Sequence, residues 1–161
     1  MLPEVVAENP LALAINHSMP EAIAGAEIAV DGLVLFIAPT FLLPVCRYLR
    51  ETAGFERLTA VTAVDWWPRE PRFEVVYFLH SLQHNSRLRL SVRLKLNEPV
   101  DSVCEIWRAA NWYEREVFDL FGIEFKNHPN LERIMMPADW EGYPLRKDYP
   151  IHGNKYSYRD E

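Results

Sequence analysis

The most regular hydrophobic pattern in the chain lies between Arg87 and Leu96. Apolar and polar residues alternate there: Leu88, Leu90, Val92, Leu94 and Leu96 with Arg87, Arg89, Ser91, Arg93 and Lys95. A period of two predicts a strand with one apolar face toward the core and one basic face pointing away from it. Two interpretations of the basic face stay open: a solvated outer surface, the more common case, or a docking face for an acidic partner.

The segments at the start of the chain predict a helix and then a hairpin. Pro3–Asn16 has loosely helical spacing, and Pro10 is expected to interrupt it. The dipeptide Asp31-Gly32 lies between two short apolar runs and predicts a tight turn, because both residues tolerate a positive φ. The two runs, residues 27–30 and 33–38, are the expected strands.

A second helix and two further strands are predicted between this hairpin and the alternating strand. Thr40–Ala53 has helical spacing, with Thr40 as a candidate N-cap and Gly54 in position to end the helix. Residues 55–67 and 73–80 are rich in β-branched and aromatic residues, which favour strands.

The predicted order α-β-β-α-β-β-β indicates an α+β fold, a two-layer α/β arrangement with helices on one side of a mixed sheet. Residues 1–100 are expected to form this core domain. A short helical segment follows at 101–122, and residues 123–161 are expected to form an extended irregular C-terminal tail.

The best helix of the second half is Asn111–Phe121. Asn111 is expected to be its N-cap, with Glu114 three residues later close to a capping box, and Gly122 is expected to close the helix.

Beyond Ile123 the sequence has no sustained period, although it keeps many large apolar residues. Prolines at 129, 137, 144 and 150 punctuate it. An irregular segment of this composition is more typical of a docking tail that wraps a partner than of a disordered linker. We therefore expect the tail to be unnecessary for folding residues 1–121.

Composition narrows the possible functions. The chain has 161 residues and a net charge of −6, which disfavours nucleic-acid binding. Its longest uncharged run, Gly32–Cys46, is too short to cross a bilayer. Two cysteines cannot supply the four thiolates that an iron–sulfur cluster usually takes, and no glycine-rich phosphate loop is present.

Candidate chemistry is confined to three carboxylates on the second-half helix: Glu114, Glu116 and Asp119. Such a set can bind metals or do acid–base work, but a polar helix face that pairs with Arg115 or with a partner is the favoured interpretation. We expect Arg115 to pair with Glu116, Asp119 or a neighbouring segment in a partly buried network.

The same residues carry a resemblance to a known family. Glu114-Arg115-Glu116, Asp119 and Gly122-Ile123 resemble the signature of the C-type subunit of NADH-quinone oxidoreductase, the 30 kDa family of respiratory complex I. A second motif between His128 and Pro150 resembles the same family. The candidate interface and structural residues are Glu114, Arg115, Glu116, Asp119, Gly122, His128, Arg133, Trp140, Arg146, Lys147 and Asp148.

The resemblance implies a peripheral-arm (hydrophilic) subunit of the proton-pumping NADH:quinone oxidoreductase, with a scaffolding and assembly role beside the quinone-site subunit. It implies no catalytic residue, metal or cofactor in this chain, with FMN and iron–sulfur clusters in partner subunits. The implied location is the cytoplasmic face of the bacterial inner membrane.

The resemblance also implies particular partners. The first is the homologue of the D-type subunit of complex I, which builds the quinone cavity together with the cluster-bearing B-type subunit, the second implied partner. The other implied partners are further peripheral-arm subunits and, indirectly, the membrane arm. Nucleic acid is not among the implied partners.

Two alternatives stay open at this stage. The chain could be the equivalent subunit of a membrane-bound hydrogenase or of a ferredoxin-fed photosynthetic complex. It could also be a free-standing enzyme or metal-binding protein that uses Glu114, Glu116 and Asp119.

Overall fold

The computed structural model describes residues 3–150 as an α+β fold, as predicted. The helices are α1 (Pro10–Ser18), α2 (Leu42–Glu51) and α3 (Ala110–Phe121), and 3-10 turns cover Glu4–Val6 and Pro39–Phe41. The strands are β1 (Ile23–Ala29), β2 (Gly32–Ile37), β3 (Arg57–Asp65), β4 (Phe73–Ser81), β5 (Ser86–Leu94), β6 (Val100–Asp101) and β7 (Phe125–Lys126). Residues 151–161, the end of the predicted tail, lie outside the described residues.

Five strands form one mixed sheet in the order β1-β2-β5-β4-β3. β2 and β5 run parallel, and the other neighbours run antiparallel. The hairpin lies one residue earlier than predicted, because Gly32 pairs with Ala29 and leaves Val30-Asp31 as the loop. Gly32, the first residue of β2, has a φ of +131°. Glycine adopts this positive φ without strain, so it allows the chain to pass from the loop into the strand.

The alternating segment forms the centre of this sheet. Leu88, Leu90, Val92 and Leu94 are buried on the inner face, as predicted. The prediction for Leu96 was wrong, because β5 ends at Leu94 and the Leu96 side chain is 44% exposed. The three helices contribute to the same apolar cluster as the inner face.

Both early helices begin differently from the prediction. Pro10 is the first residue of α1 and does not interrupt it, since proline needs no hydrogen-bond acceptor there. The Asn9 side chain caps this helix by accepting the N–H groups of Leu11 and Ala12, at 3.0 and 3.1 Å. Thr40 does not cap α2, because it lies inside the 3-10 turn that precedes the helix.

The helix that carries the signature starts one residue earlier than predicted. Ala109 is the N-cap residue of α3, and Asn111 lies within the helix, so the predicted capping box is wrong. The preceding turn runs straight into the helix through a hydrogen bond from Ala110 N–H to Trp107 O at 2.9 Å. Gly122 ends the helix in the left-handed conformation, with φ of +71°, as predicted.

Residues beyond 100 complete the core rather than standing apart from it. Val103, Trp107, Val117, Phe121, Ile123 and Phe125 are buried in the same cluster as the inner face of the sheet. The short parallel pair β6 and β7 joins the two ends of this region. Among residues 3–150, no helix has the length and apolar character needed to cross a membrane.

Candidate functional site

Asp119 is a buried carboxylate near the end of α3 that fixes the backbone of the tail. Its Oδ1 accepts a hydrogen bond from the Arg133 guanidinium at 2.6 Å. Its Oδ2 accepts three consecutive backbone N–H groups, from Ile134, Met135 and Met136, at 2.9, 2.7 and 2.9 Å. Burial alone would raise the pKa of Asp119, but these donors outweigh burial and lower it.

Arg133 connects the end of α3 to a later part of the tail. Besides its ion pair, the guanidinium donates to the backbone oxygens of Asp119 and Gly142, both at 3.0 Å. It also lies over the Tyr143 ring, 5.3 Å from the centroid. One side chain therefore holds two turns of the tail against the helix.

Arg146 packs where α3 ends at Gly122. Its Nε donates to Phe121 O at 2.6 Å, and its guanidinium lies 4.4 Å from the Tyr143 ring centroid and 5.2 Å from that of Phe73. A Cβ on Gly122 would lie 2.5 Å from Tyr143 Cε2 and 2.6 Å from an Arg146 nitrogen. Glycine is therefore required here both by the positive φ and by the close approach of the tail.

Arg72 ties the end of the described tail to the sheet. Its side chain is 5% exposed and lies between two carboxylates. It donates to Asp65 at 3.0 and 2.9 Å and to Asp148 at 3.0 and 2.6 Å. Asp65 also accepts the backbone N–H of Lys147 at 2.8 Å. These bonds join the tail to the end of β3 and to the residue before β4.

Comparison with known proteins identifies the family. The family described as "Respiratory-chain NADH dehydrogenase, 30 Kd subunit" matches residues 35–155. The chain belongs to this family. It is 41% identical over 155 residues to the C-type subunit of NADH-quinone oxidoreductase from Roseiflexus castenholzii, covering 94% of this chain and 89% of that one. The counterpart from Geotalea uraniireducens is 50% identical over 113 residues, covering 70% of this chain and 69% of the relative.

Two solved structures resemble this member of the 30 kDa-subunit family. One is described as Nqo5 of a trypsin-resistant fragment (1-134); it is 31% identical, with a TM-score of 0.59 over 66% of this chain and 89% of that one. The other belongs to the membrane-bound sulfane sulfur reductase, an archaeal respiratory membrane complex. It is 28% identical, with a TM-score of 0.72 over 88% of this chain and 84% of that one.

Arg115 of the family signature contacts the tail and not the acidic residues of its own helix. It donates to the backbone oxygens of Glu132 and Arg133 at 3.0 and 3.5 Å. A neighbouring segment was one of its predicted partners, whereas Asp119 pairs with Arg133 and Glu116 is exposed. The three carboxylates of α3 are therefore not gathered into one site.

Glu114, the first signature carboxylate, is buried in a network of its own. It accepts hydrogen bonds from the Ser102 hydroxyl at 2.6 Å, Val103 N–H at 2.8 Å and the Cys104 thiol at 3.3 Å. Burial raises the pKa of Glu114 despite these donors. This carboxylate attaches the 102–104 segment to α3.

His128 lies beside this network, and Cys104, Glu114 and His128 have ligand atoms within 4.8 Å of one another. Their hydrogen bonds do not suit a metal. Nδ1 of His128 accepts Asn130 N–H at 3.0 Å, which leaves the proton on Nε2, 3.1 Å from Asn111 O. The Nε2–H therefore donates to Asn111 O, and Nε2 lies 3.9 Å from Glu114 Oε2, beyond hydrogen-bond distance.

The remaining signature residues contribute through their backbones or partial burial. Trp140 is half-buried, and its backbone N–H donates to Pro137 O at 3.0 Å. Lys147 contributes its backbone N–H to Asp65, while its side chain is exposed.

Sequence reasoning missed Asp65 and Arg72, the sheet's own contribution to the tail anchor. A signal was available, because Val61, Ala63 and Asp65 alternate on the inward face of β3. A carboxylate in an inward position requires a buried donor. The periodicity of the strand does not reveal which donor it is.

Acid is expected to destabilise this protein through its depressed carboxylates. Burial raises the pKa of Asp65, but hydrogen bonds from Arg72 and from the N–H groups of Lys147 and Trp67 bring it down to about 2. The native state therefore binds fewer protons than the unfolded chain, so this stabilisation is present above pH ~4 and lost as pH falls toward 2. Relative to an Asp65→Asn variant, the wild type should lose about 1–2 kcal/mol of unfolding free energy between pH 6 and pH 3, because the comparison cancels the contributions of other groups such as Glu114, whose raised pKa acts in the opposite direction. A difference between the two proteins that stays constant from pH 6 to pH 3 would contradict this assignment.

Proposed function

We propose that this chain is a peripheral-arm subunit of the proton-pumping NADH:quinone oxidoreductase, with a scaffolding and assembly role beside the quinone-site subunit. The observation that carries the proposal is the match, over nearly the whole chain, to the C-type subunit of NADH-quinone oxidoreductase at 41% identity. The equivalent subunit of a related respiratory membrane complex is a second candidate, favoured only by the 28% identical structural relative.

We further propose that the chain holds no cofactor of its own and that FMN and iron–sulfur clusters reside in partner subunits. Both cysteines are poor ligands as they stand. Cys46 is fully buried, which raises the pKa of its thiol, and burial beside Glu114 raises that of Cys104 to about 12. The purified chain should show no visible absorbance from flavin or iron–sulfur at stoichiometric level, and such a band would overturn this part.

The organisation of the tail supports docking to the D-type homologue. Its backbone is held by buried charged groups, whereas its large apolar side chains are incompletely covered. Met135 is 61% exposed and Leu145 is 51% exposed. A rigid backbone that presents apolar groups suits a protein interface, because little conformational entropy remains to be lost on binding. We name the surface around Met135 and Leu145 the tail surface.

The buried contacts of the tail also concern the prediction that residues 1–121 fold without it. Removing residues after 122 would leave buried Asp119 without Arg133 and three N–H donors. We therefore propose that the tail stabilises α3 as well as contacting its partner. The B-type homologue, the other peripheral-arm subunits and a position on the cytoplasmic face of the bacterial inner membrane follow from this assembly and are parts of the same proposal.

The double substitution Met135→Glu/Leu145→Glu should separate assembly from folding. Both side chains are exposed, so the unfolding temperature should change little. Two charges in a buried interface should reduce co-purification of the D-type homologue from native membranes by at least about tenfold.

The matched control is Leu13→Glu, an exposed apolar residue on α1, which should leave co-purification unchanged. If the wild-type chain fails to co-purify with any complex I subunit, the proposed function is wrong. If the double variant assembles like the control, the chain assembles through another surface.

A further inference from the structure

Two arginines flank a histidine at one end of the outer face of the sheet. In the strand register, Arg57 of β3 lies opposite His80 of β4, and His80 lies opposite Arg87 of β5. Opposed residues on adjacent antiparallel strands have Cβ atoms about 5 Å apart. Arg57 and Arg87 therefore lie on either side of His80, two strand spacings or about 10 Å apart, and two guanidinium charges at that separation make the row a place where an anion would be stabilising.

A groove of about 600 Å³ lies over this row. Its floor includes Ala60 and Phe78, and Arg89 borders it with its guanidinium 5.2 Å from the Phe78 ring centroid. Arg89 is neutralised by an ion pair with Asp31 at the hairpin. Within residues 3–150, neither Arg57 nor Arg87 forms an ion pair.

The outer face is already packed without a covering helix. Val34 and Val76 point outward and lie outside the main apolar cluster, yet they are only 2% and 6% exposed. On the same face the Arg93 guanidinium lies 5.4 Å from the Phe36 ring centroid.

We propose that the basic row, defined as Arg57, His80 and Arg87, is a docking site for an acidic segment of another subunit. Guanidinium groups bind carboxylates through two parallel hydrogen bonds, and the Ala60–Phe78 floor suits the aliphatic part of Asp and Glu side chains. The chain as a whole carries a net charge of −6, so this row differs in sign from the net charge of the protein. That contrast selects an acidic partner and orients it.

An acidic protein segment fits these observations better than an anionic membrane. A lipid surface attracts a broad cluster of basic residues, and it repels a chain with this net charge. Here Arg57 and Arg87, which form no ion pair in the described part of the chain, border a groove of limited size. The inference rests on the proposed assembly only in taking the partner to be another subunit, and it concerns a surface separate from the tail surface.

Site-specific photocross-linking in the assembled complex tests the proposal. A benzoylphenylalanine at Thr59, an exposed residue that lines the groove, is activated in complexes purified from membranes, and the same probe at Leu13 is the control. We expect Thr59 to cross-link to one subunit, at a peptide with at least two Asp or Glu residues. A peptide without carboxylates, a phospholipid adduct or no adduct would overturn the proposal.

Charge reversal gives a second measurement. Arg57→Glu/Arg87→Glu should reduce the Thr59 cross-link yield about tenfold, since each exposed ion pair contributes up to about fivefold in affinity. Lysine substitutions in the cross-linked acidic peptide should restore the yield. Arg69→Glu/Arg108→Glu makes the same change in net charge on exposed residues outside the row and should leave the yield unchanged.

The outcomes separate the two proposals. A chain that co-purifies with complex I subunits but gives no acidic cross-link overturns only the docking site. A charge-reversed variant with an unchanged cross-link yield does the same. A wild-type chain that co-purifies with none of these subunits overturns the proposed function itself.

Discussion

Asp119→Asn is expected to lower the free energy of unfolding by about 3–5 kcal/mol, because it breaks a buried ion pair and leaves donors without an acceptor. Both carboxylate oxygens accept hydrogen bonds: Oδ1 from Arg133, and Oδ2 from three backbone N–H groups. Either orientation of the asparagine amide therefore points its NH₂ group at another donor. For a chain of this size the loss corresponds to about 10 °C in Tm, measurable by thermal unfolding followed by circular dichroism.

Glu116→Gln is the matched control, because it removes the same charge from an exposed position on the same helix. Its effect should lie within about 0.5 kcal/mol. Trypsin should also cleave the Asp119→Asn variant faster after Arg133, whose side chain loses its ion pair. Equal stability of the two variants would mean that Asp119 does not anchor the tail.

The fold could be predicted where one physical preference dominates. The strict alternation around Leu90 can satisfy only a strand with one buried face, and β5 forms as expected. Gly122 is a comparable case, because a helix end needs a residue that tolerates positive φ, and glycine does so without strain. These local requirements were sufficient to give the order of α1 to β5 and the position of α3, whereas the two-residue strands β6 and β7 were not predicted.

Element boundaries were less predictable because several residues compete for the same role. Asn111 can cap a helix, but the turn through Trp107 and Ala110 starts α3 earlier. Gly32 can occupy a turn, but its positive φ is used at the entry of β2. Propensity ranks these choices weakly, and tertiary contacts decide among them.

The candidate site was only partly predictable, since its contacts join residues that are far apart in the chain. The motif resemblance identified Asp119, Arg133 and Asp148, but no spacing rule predicts that Arg133 closes onto Asp119. Asp148 meets Arg72, 76 positions earlier. Periodicity describes which face a residue occupies, and it contains no information on which charged residue will meet another across the fold.

In the site, charged groups fix the backbone of the tail, and large apolar groups are left exposed. Arg72, Asp119 and Arg133 hold the tail backbone against the sheet and α3. Met135 and Leu145 remain exposed on it. Within the tail, this differs from the usual pattern, in which large apolar groups are buried and charges face water. It agrees with a subunit whose remaining apolar surface is covered by a partner.

Arg72→Met is the substitution expected to test the sheet side of this anchor. It leaves Asp65, whose side chain is 1% exposed, without its guanidinium partner, and it also releases Asp148. An uncompensated buried carboxylate costs about 3–5 kcal/mol, which urea unfolding monitored by tryptophan fluorescence would measure. Arg69→Met, at an exposed position in the same turn, is the control and should change stability by less than about 0.5 kcal/mol.

A double variant distinguishes loss of the ion pair from loss of packing. Asp65→Val/Arg72→Met removes both charges, so no unpaired carboxylate remains in the interior. Replacing a buried ion pair by apolar residues is often close to neutral, and we expect the double variant to recover at least half of the stability lost in Arg72→Met. A double variant less stable than Arg72→Met would mean that the aliphatic part of Arg72, or the N–H groups bound to Asp65, carries the effect. The ion pair would then not be the principal anchor between the sheet and the tail.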